Sequence, residues 1–125
     1  MYYLAVAIGG AAGAAARYAC YRLADRLSLV YFPYATLFVN SVGSFLMAFL
    51  LGLMMGNAGV AASVRLFLFT GFFGAFTTFA TFAVENAQLM QQGQYFICII
   101  NILLNNVFSI GLALTGYCLA RLLVS

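Results

Sequence analysis

The segment GFFGAFTTFATFAVEN, residues 71–86, combines a strongly hydrophobic composition with residues that weaken helices. It contains two glycines, five phenylalanines and three threonines, and it carries Glu85, the only glutamate of the chain. Glycine and the β-branched pair Thr77-Thr78 lower helix propensity. We therefore predict a helix that is interrupted within this segment, so that some backbone carbonyl and amide groups lose their helical hydrogen bonds.

The composition of the whole chain is that of an integral membrane protein. Of its 125 residues, 66% are hydrophobic and 6% are charged, whereas roughly a quarter of the residues in a soluble domain are charged. The stretches between Arg26 and Arg65 and between Glu85 and Arg121 contain no charge. They are long enough for helices that cross the hydrocarbon core, which need about 20 residues each. The apolar runs lack the alternation of barrel strands, so we predict an all-α membrane protein.

We predict a single transmembrane domain over residues 1–125, built from four helices with a break in the third. The helices are expected at about residues 3–21, 34–55, 64–90 and 95–123. The eight tyrosines all fall near the ends of these helices. At such positions an aromatic ring contacts lipid headgroups while its hydroxyl contacts water.

The distribution of arginines does not select one orientation in the membrane. With four spans, Arg65 and Arg121 lie on one side, and Arg22 and Arg26 lie on the other, joined by Arg17 if that residue is outside its helix. The positive charges are therefore nearly balanced, and the positive-inside rule gives no clear answer. Two interpretations stay open: a fixed topology set by another feature, or insertion in both orientations with two opposed copies forming an antiparallel dimer.

Two glycines of the first predicted helix, Gly9 and Gly13, are four residues apart. This spacing places both on one helical face, where small residues let two helix backbones approach closely. We assign these glycines to helix packing.

Polar side chains recur every fourth residue on three of the predicted helices, so that each set lies on one helical face. The three stripes are Thr36, Asn40 and Ser44; Thr77, Thr81 and Glu85; and Asn101, Asn105 and Ser109. In a membrane such residues either hydrogen-bond between packed helices or line a polar pathway. Three stripes together favour a pathway whose hydrogen-bonding groups are mostly uncharged.

The aromatic residues of the opening segment also share a helical face. At 100° per residue, Phe79 and Phe82 lie about 60° apart, and Thr81 and Glu85 point roughly the opposite way. Such spacing is typical of core packing, but phenyl rings also have a positive edge that can contact a small anion. Freed backbone carbonyls suit a hard cation such as Na⁺. The residues alone therefore predict an ion site without identifying the ion.

Arg17 follows the run GGAAGAAA and can fall inside the first helix. Its side chain can extend to the membrane interface. Alternatively, it is a buried cation that draws an anion toward the pathway or bonds the broken end of another helix. Both interpretations stay open.

Other functional classes find little support in the composition. The chain has no histidine, and its five arginines and absent lysines are too dispersed for a nucleic-acid surface. The three cysteines show no CxxC spacing, so we interpret them as unpaired thiols. We expect neither enzymatic activity nor nucleic-acid binding.

Three motifs resemble those of the Fluc (CrcB) family of microbial fluoride channels. They are GGAAGAAARY at residues 9–18, TLFVNSVGSFLMAFLLG at residues 36–52 and GFFGAFTTFATFAVE at residues 71–85. The resemblance implies a passive fluoride-selective channel that exports F⁻ from the cytoplasm through the cell inner membrane. It also implies a dual-topology antiparallel homodimer with two pores, each built from both subunits.

The same resemblance assigns roles to individual residues. The carbonyls of Gly74 and Thr77 would hold a structural Na⁺ at the dimer centre, and Phe79 and Phe82 would form the family's phenylalanine box. The remaining residues of the implied fluoride pathway are Asn40, Thr81, Glu85, Asn105, Ser109 and Arg17. Ala80 departs from the family pattern, which usually has serine at that position, and the fourth helix is unusually rich in asparagine.

Two other functions are compatible with four small helices. A small multidrug-resistance-type exporter needs a membrane-embedded carboxylate, typically in the first helix, to exchange protons for cationic drugs. No carboxylate lies within the first predicted helix, and Glu85 is the only candidate elsewhere. A non-transporting subunit of a larger complex would use its polar stripes for helix packing alone.

Overall fold

The computed structural model describes residues 1–27, 29, 31–55 and 59–124, and its regular structure is entirely helical within those ranges. The elements are α1 (Tyr2–Arg26), α2 (Tyr34–Met54), α3 (residues 62–76), α4 (Phe79–Gln91) and α5 (Tyr95–Val124). Three spans are long and apolar enough to cross a membrane: α2, the α3–α4 pair and α5. The all-α prediction is confirmed, and the chain is a multi-pass membrane protein.

The first helix is longer than predicted. The expected end at residue 21 is wrong, because α1 continues to Arg26 and includes Arg22 and Asp25. Neither glycine nor proline occurs between Gly13 and the end of α1, so nothing in this stretch opposes helix formation. Arg26 in the last turn also interacts favourably with the helix dipole. The other helix limits agree with the predicted ones to within two residues.

Helices α1 and α3 approach each other through glycines. A Cβ atom added at Gly71 would lie 2.8 Å from the carbonyl oxygen of Val6 and 3.0 Å from the amide nitrogen of Gly10. A Cβ atom at Gly13 would overlap the carbonyl oxygen of Phe72. The spacing of Gly9 and Gly13 therefore marks a backbone-to-backbone contact, in which Gly71 supplies the matching surface.

The substitution Gly13→Ala is expected to lower the free energy of unfolding by about 1–3 kcal/mol, because the new methyl group forces the two backbones apart. Gly10→Ala is the matched control: it lies on the same helix, and its added Cβ atom would come no closer than 4.0 Å to a neighbouring atom. Thermal unfolding in detergent measures both. Equal melting temperatures for the two variants would contradict the close α1–α3 contact.

The chain breaks between α3 and α4, as predicted. Thr77 (φ −78°, ψ 156°) and Thr78 (φ −150°, ψ 116°) both have extended backbones. The hydroxyl of Thr78 then caps the next helix by accepting a hydrogen bond from the amide of Thr81 at 3.2 Å. Gly74 has helical dihedral angles (φ −61°, ψ −35°), so the break falls at the threonine pair and not at the glycine.

Most of α3 is a π-helix. The segment Leu66–Phe73 has π-helical hydrogen bonding between two short α-helical pieces, Ala62–Arg65 and Gly74–Phe76. It contains Gly71, which faces α1. This conformation was not predicted, although π-helical turns are often found near functional sites.

Candidate functional site

The side chain of Asn40 on α2 holds the broken backbone at Thr78. Its Oδ1 accepts a hydrogen bond from the Thr78 amide at 2.8 Å, and its Nδ2 donates to the Thr78 carbonyl at 3.1 Å. An extended residue inside a membrane protein has lost its helical partners and must find others. One carboxamide thus satisfies both backbone polar groups of Thr78, the residue at the break.

The break leaves the carbonyls at the end of α3 without their helical donors, and those of Gly74 and Thr77 are among them. In a continuous helix Gly74 would accept from the Thr78 amide and Thr77 from the Thr81 amide. Both amides donate to side chains instead, the first to Asn40 and the second to the Thr78 hydroxyl. The Nη1 atom of Arg17 lies 3.5 Å from the Thr77 carbonyl oxygen. Arg17 therefore reaches the broken helix, as one of its two interpretations expected.

A cavity of about 220 Å³ opens beside the break. Two phenyl rings and several uncharged polar side chains line it, the polar ones being Asn40, Ser44, Thr77, Thr78, Asn105, Asn106 and Ser109. The rings are those of Phe79 and Phe82, whose centroids are 5.6 Å apart with an angle of 53° between their planes. Among the residues that the structure describes, no charged side chain lines this cavity.

The two phenylalanines differ strongly in exposure. Phe82 is 9% exposed, whereas Phe79 is 79% exposed although it lies in the middle of a membrane-spanning pair of helices. The Phe79 ring therefore has one side on the cavity and most of its surface on the outside of the protomer.

Glu85 belongs to a second group of polar residues. Thr36 donates a hydrogen bond to Glu85 Oε1 at 2.6 Å, and the Thr36 hydroxyl lies 2.5 Å from that of Tyr21. The other carboxylate oxygen, Oε2, is buried without a hydrogen-bond partner in the described part of the chain. Glu85 faces a separate, larger cavity of about 460 Å³, which Tyr21 and Asp25 also line.

The predicted pathway residues thus divide into two sets. Those that share the aromatic cavity are Asn40, Phe79, Phe82, Asn105 and Ser109, and Thr77, which was assigned to the cation, lines it as well. Thr81, Glu85 and Arg17 do not line it. The hydroxyl of Thr78 lies between the two sets, because it lines the cavity and donates to the Thr81 hydroxyl at 3.0 Å. The functional roles of all these residues remain predictions.

Several residues of the site were not singled out from the sequence. Asn86 is 7% exposed and accepts a hydrogen bond from Asn101 at 3.0 Å. Tyr21 was assigned to the membrane interface, but its hydroxyl contacts the buried Thr36. A signal for Asn86 was present, since it lies four residues after Phe82 and is an amide in an apolar helix. Its partner could not be read from the sequence because that partner lies on α5.

Comparison with known proteins gives a consistent result over most of the chain. Residues 4–117 match the sequence model of the family described as "CrcB-like protein, Camphor Resistance (CrcB)". A protein of Legionella pneumophila (strain Lens) named fluoride-specific ion channel FluC is 49% identical over 119 residues, which are 95% of this chain and 89% of the relative.

Relatives with the same name occur in more distant organisms. The protein of Vibrio campbellii is 45% identical over 112 residues, covering 90% of this chain and 88% of the relative. The protein of Thermococcus kodakarensis is 41% identical over 120 residues and 94% of both chains. Bacterial and archaeal proteins thus align with this chain across its membrane-spanning helices and its break.

Proposed function

The chain belongs to the CrcB family, and on that basis we propose that it is a fluoride-selective ion channel. It is not an enzyme, because ion conduction forms and breaks no covalent bond. We further propose that conduction is passive and exports F⁻ through the cell inner membrane, which lowers its concentration in the cytoplasm. Neither the fold nor the relatives favour the alternative, a proton-coupled multidrug exporter.

The observation that carries this proposal is the aromatic cavity beside the break. Its wall presents phenyl rings and uncharged amide and hydroxyl groups. Ring edges carry partial positive charge, and amide and hydroxyl hydrogens can donate to an anion. A conducting site must bind an ion well enough to admit it and weakly enough to release it. A wall of partial charges meets that requirement better than a buried arginine or lysine would.

The multidrug alternative needs a membrane-embedded carboxylate in the first helix. Because α1 extends to Arg26, it contains Asp25, which lay outside the predicted helix. Asp25 is exposed in the last turns of α1, where water can reach it. Glu85 is hydrogen-bonded to Thr36. Both carboxylates line the larger cavity, whose wall also includes Tyr21, Phe32 and Tyr34. The relatives, which are named fluoride channels, therefore weigh against the exporter, and this cavity does not.

We propose that two copies of the chain form an antiparallel dimer with two pores. The break supports this arrangement because Gly74 and Phe79 are both exposed there in a single copy. A second copy would cover the free side of the Phe79 ring and complete the cavity wall. The nearly balanced arginines, together with a fold that crosses the membrane repeatedly, allow the two copies to insert in opposite orientations.

We propose that the carbonyls of Gly74 and Thr77 hold a structural Na⁺ at the centre of this dimer. Both carbonyls have lost their helical donors, and unwound backbone at membrane depth is a known way to coordinate Na⁺. A two-fold axis through the ion would double the two carbonyls of one protomer to four. Bound Na⁺ would neutralise the partial negative charge of these oxygens and join the two protomers.

Replacing K⁺ by Na⁺ at constant ionic strength is expected to raise the melting temperature of the purified protein. A ligand that binds only the folded dimer stabilises it by mass action, and each tenfold rise in its concentration above the Kd adds about 1.4 kcal/mol. Circular dichroism during heating measures the effect without any ion flux. A melting temperature that depends on total salt alone would rule out a specific Na⁺ site.

Liposomes that contain the purified protein test the proposed function. With F⁻ inside, we expect rapid release on addition of a K⁺ ionophore, because the channel carries charge and needs a counter-ion path. With Cl⁻ inside, release should match that from protein-free liposomes. Ion-selective electrodes record both. Equal release of the two anions would exclude fluoride selectivity, and no release of either would exclude a channel.

A further inference from the structure

Four asparagine side chains form a continuous hydrogen-bonded series across three helices, which we term the carboxamide relay. Asn40 Nδ2 donates to Asn105 Oδ1 at 3.2 Å, and Asn105 Nδ2 donates to Asn101 Oδ1 at 2.8 Å. Asn101 Nδ2 then donates to Asn86 Oδ1 at 3.0 Å. Each carboxamide is thus a donor to the next, from α2 to α5 and on to α4.

The direction of the relay follows from the broken backbone. The Thr78 amide requires an acceptor and the Thr78 carbonyl a donor, so Asn40 can satisfy both in only one orientation of its carboxamide. That orientation presents Nδ2 to Asn105, which must then turn its own oxygen toward Asn40. The same reasoning fixes the carboxamide orientations of Asn101 and then of Asn86. Reversing one member would bring two donors or two acceptors together.

Both ends of the relay are bonded to the same stretch of chain. Its first member, Asn40, is bonded to Thr78, directly before α4. Its last member, Asn86, donates to the Phe82 carbonyl at 2.8 Å. The first two turns of α4 carry both rings of the cavity, Phe79 and Phe82. The relay therefore links both ends of this ring-bearing segment to α2 and α5.

The two distal members of the relay do not line the aromatic cavity. Asn101 is 0% exposed and Asn86 is 7% exposed, and neither is among the side chains of its wall. Burying carboxamides is unfavourable unless their hydrogen bonds are made. A single polar pair would be enough to join two helices, whereas the series Asn86–Asn101–Asn105 leads to the cavity wall. Serial hydrogen bonds also polarise and strengthen one another.

We propose that Asn101 and Asn86 are positioning residues of the anion pathway. They fix the orientation of the Asn105 and Asn40 carboxamides, and the placement of the Phe79 and Phe82 rings, without contacting the ion. The inference rests on the proposed channel function and adds to it the residues that set the geometry of the cavity. Loss of the Asn101 side chain leaves Asn105 Nδ2 with one acceptor, the main-chain carbonyl of residue 101 at 3.2 Å, in place of two. The Asn105 carboxamide is then held less firmly, and the cavity wall loses its single defined arrangement.

The test compares Asn101→Leu, Asn86→Leu and the double variant with the wild type. Leucine keeps much of the side-chain volume and removes all hydrogen bonding. The matched control is Thr115→Val, which removes a hydroxyl from the exposed face of α5 that bonds only within its own helix, to Gly111 at 2.8 Å. For each protein, the folded fraction and melting temperature are measured in detergent, and F⁻ efflux and Cl⁻ efflux are measured in liposomes per folded protein.

We expect Asn101→Leu to lower F⁻ efflux at least about tenfold, because the cavity wall loses its fixed arrangement. Thr115→Val should match the wild type. In the double variant both asparagines are replaced, so neither position leaves a polar group of the other without its partner. The double variant should therefore regain part of the melting temperature lost in Asn101→Leu. Its F⁻ efflux should stay low, because Asn105 Nδ2 keeps only the main-chain carbonyl of residue 101 as an acceptor and has lost the shorter bond to the side chain. A purely structural role would instead make efflux recover together with stability.

Two results would overturn the positioning role. One is F⁻ efflux of Asn101→Leu within about twofold of the wild type, where a loss of about tenfold is expected. The other is efflux of the double variant that rises with its melting temperature. If Asn101→Leu yields no folded protein, the double variant is compared directly with the wild type under the same criterion. Absence of F⁻ efflux in the wild type would overturn the channel function itself and is thereby a distinct outcome.

Discussion

Replacing Phe79 with isoleucine is expected to lower F⁻ efflux by about tenfold or more, which corresponds to at least roughly 1.4 kcal/mol of barrier. Isoleucine keeps the apolar character of the position but removes the positive ring edge that can contact an anion. Because Phe79 is 79% exposed in the protomer, the substitution leaves the core of the protomer intact. Liposome efflux per folded protein measures the effect.

Phe96→Ile is the matched control for this prediction. Phe96 is 76% exposed, lies near the start of α5 and does not line the aromatic cavity. Its replacement should leave F⁻ efflux and melting temperature unchanged. If Phe79→Ile and Phe96→Ile conduct equally well, the phenyl ring at position 79 takes no part in conduction.

Replacing Asn40 with leucine is expected to abolish measurable F⁻ efflux and to destabilise the protein. The Thr78 amide and carbonyl would lose their common partner, and Asn105 Oδ1 would lose its donor. Each buried polar group left unpaired costs about 1–3 kcal/mol, so three such groups should lower the free energy of unfolding by at least about 3 kcal/mol. Thermal unfolding and liposome efflux together measure the two effects.

Phe38→Leu provides the comparison on the same helix, since Phe38 is 53% exposed and forms no part of the cavity wall. It should change neither property by more than a small amount. An Asn40→Leu protein with the stability and F⁻ efflux of the wild type would show that the amide and carbonyl of Thr78 need no side-chain partner, which would contradict the described role of Asn40 at the break.

The break was predictable because its cause is local. Thr77 and Thr78 are adjacent β-branched residues, and the chain is extended at these two positions. The glycines were interpreted less well. Gly71 serves the contact with α1, and Gly74 is helical. Position 71 requires a glycine because the backbone of α1 lies against it. Helix α1 is far from position 71 in the sequence, so a local pattern cannot reveal this contact.

The polar stripes were predictable as faces but not as hydrogen-bonded pairs. Periodicity places Asn101 and Asn105 on one side of α5, and the structure shows them bonded to each other. Periodicity cannot reveal that Asn40 meets Thr78 or that Asn101 meets Asn86, because these contacts depend on how α2, α4 and α5 are arranged.

The remaining differences also have physical reasons. The predicted end of α1 followed the end of the hydrophobic stretch, but a helix can continue beyond the hydrocarbon core, as α1 does to Arg26. The π-helical segment Leu66–Phe73 has a composition that suits an ordinary α-helix equally well. Its hydrogen-bond register is set by its surroundings in the fold, which a short sequence window does not contain.

The reversal potential of the current through purified protein in a planar bilayer, with F⁻ on one side and Cl⁻ on the other, tests fluoride selectivity most directly. The aromatic cavity and the family membership predict a large reversal potential, with the sign of a current carried by F⁻. A reversal potential near zero would show that F⁻ and Cl⁻ pass equally well, and one of the opposite sign would show preference for Cl⁻. Either result would contradict a fluoride-selective channel.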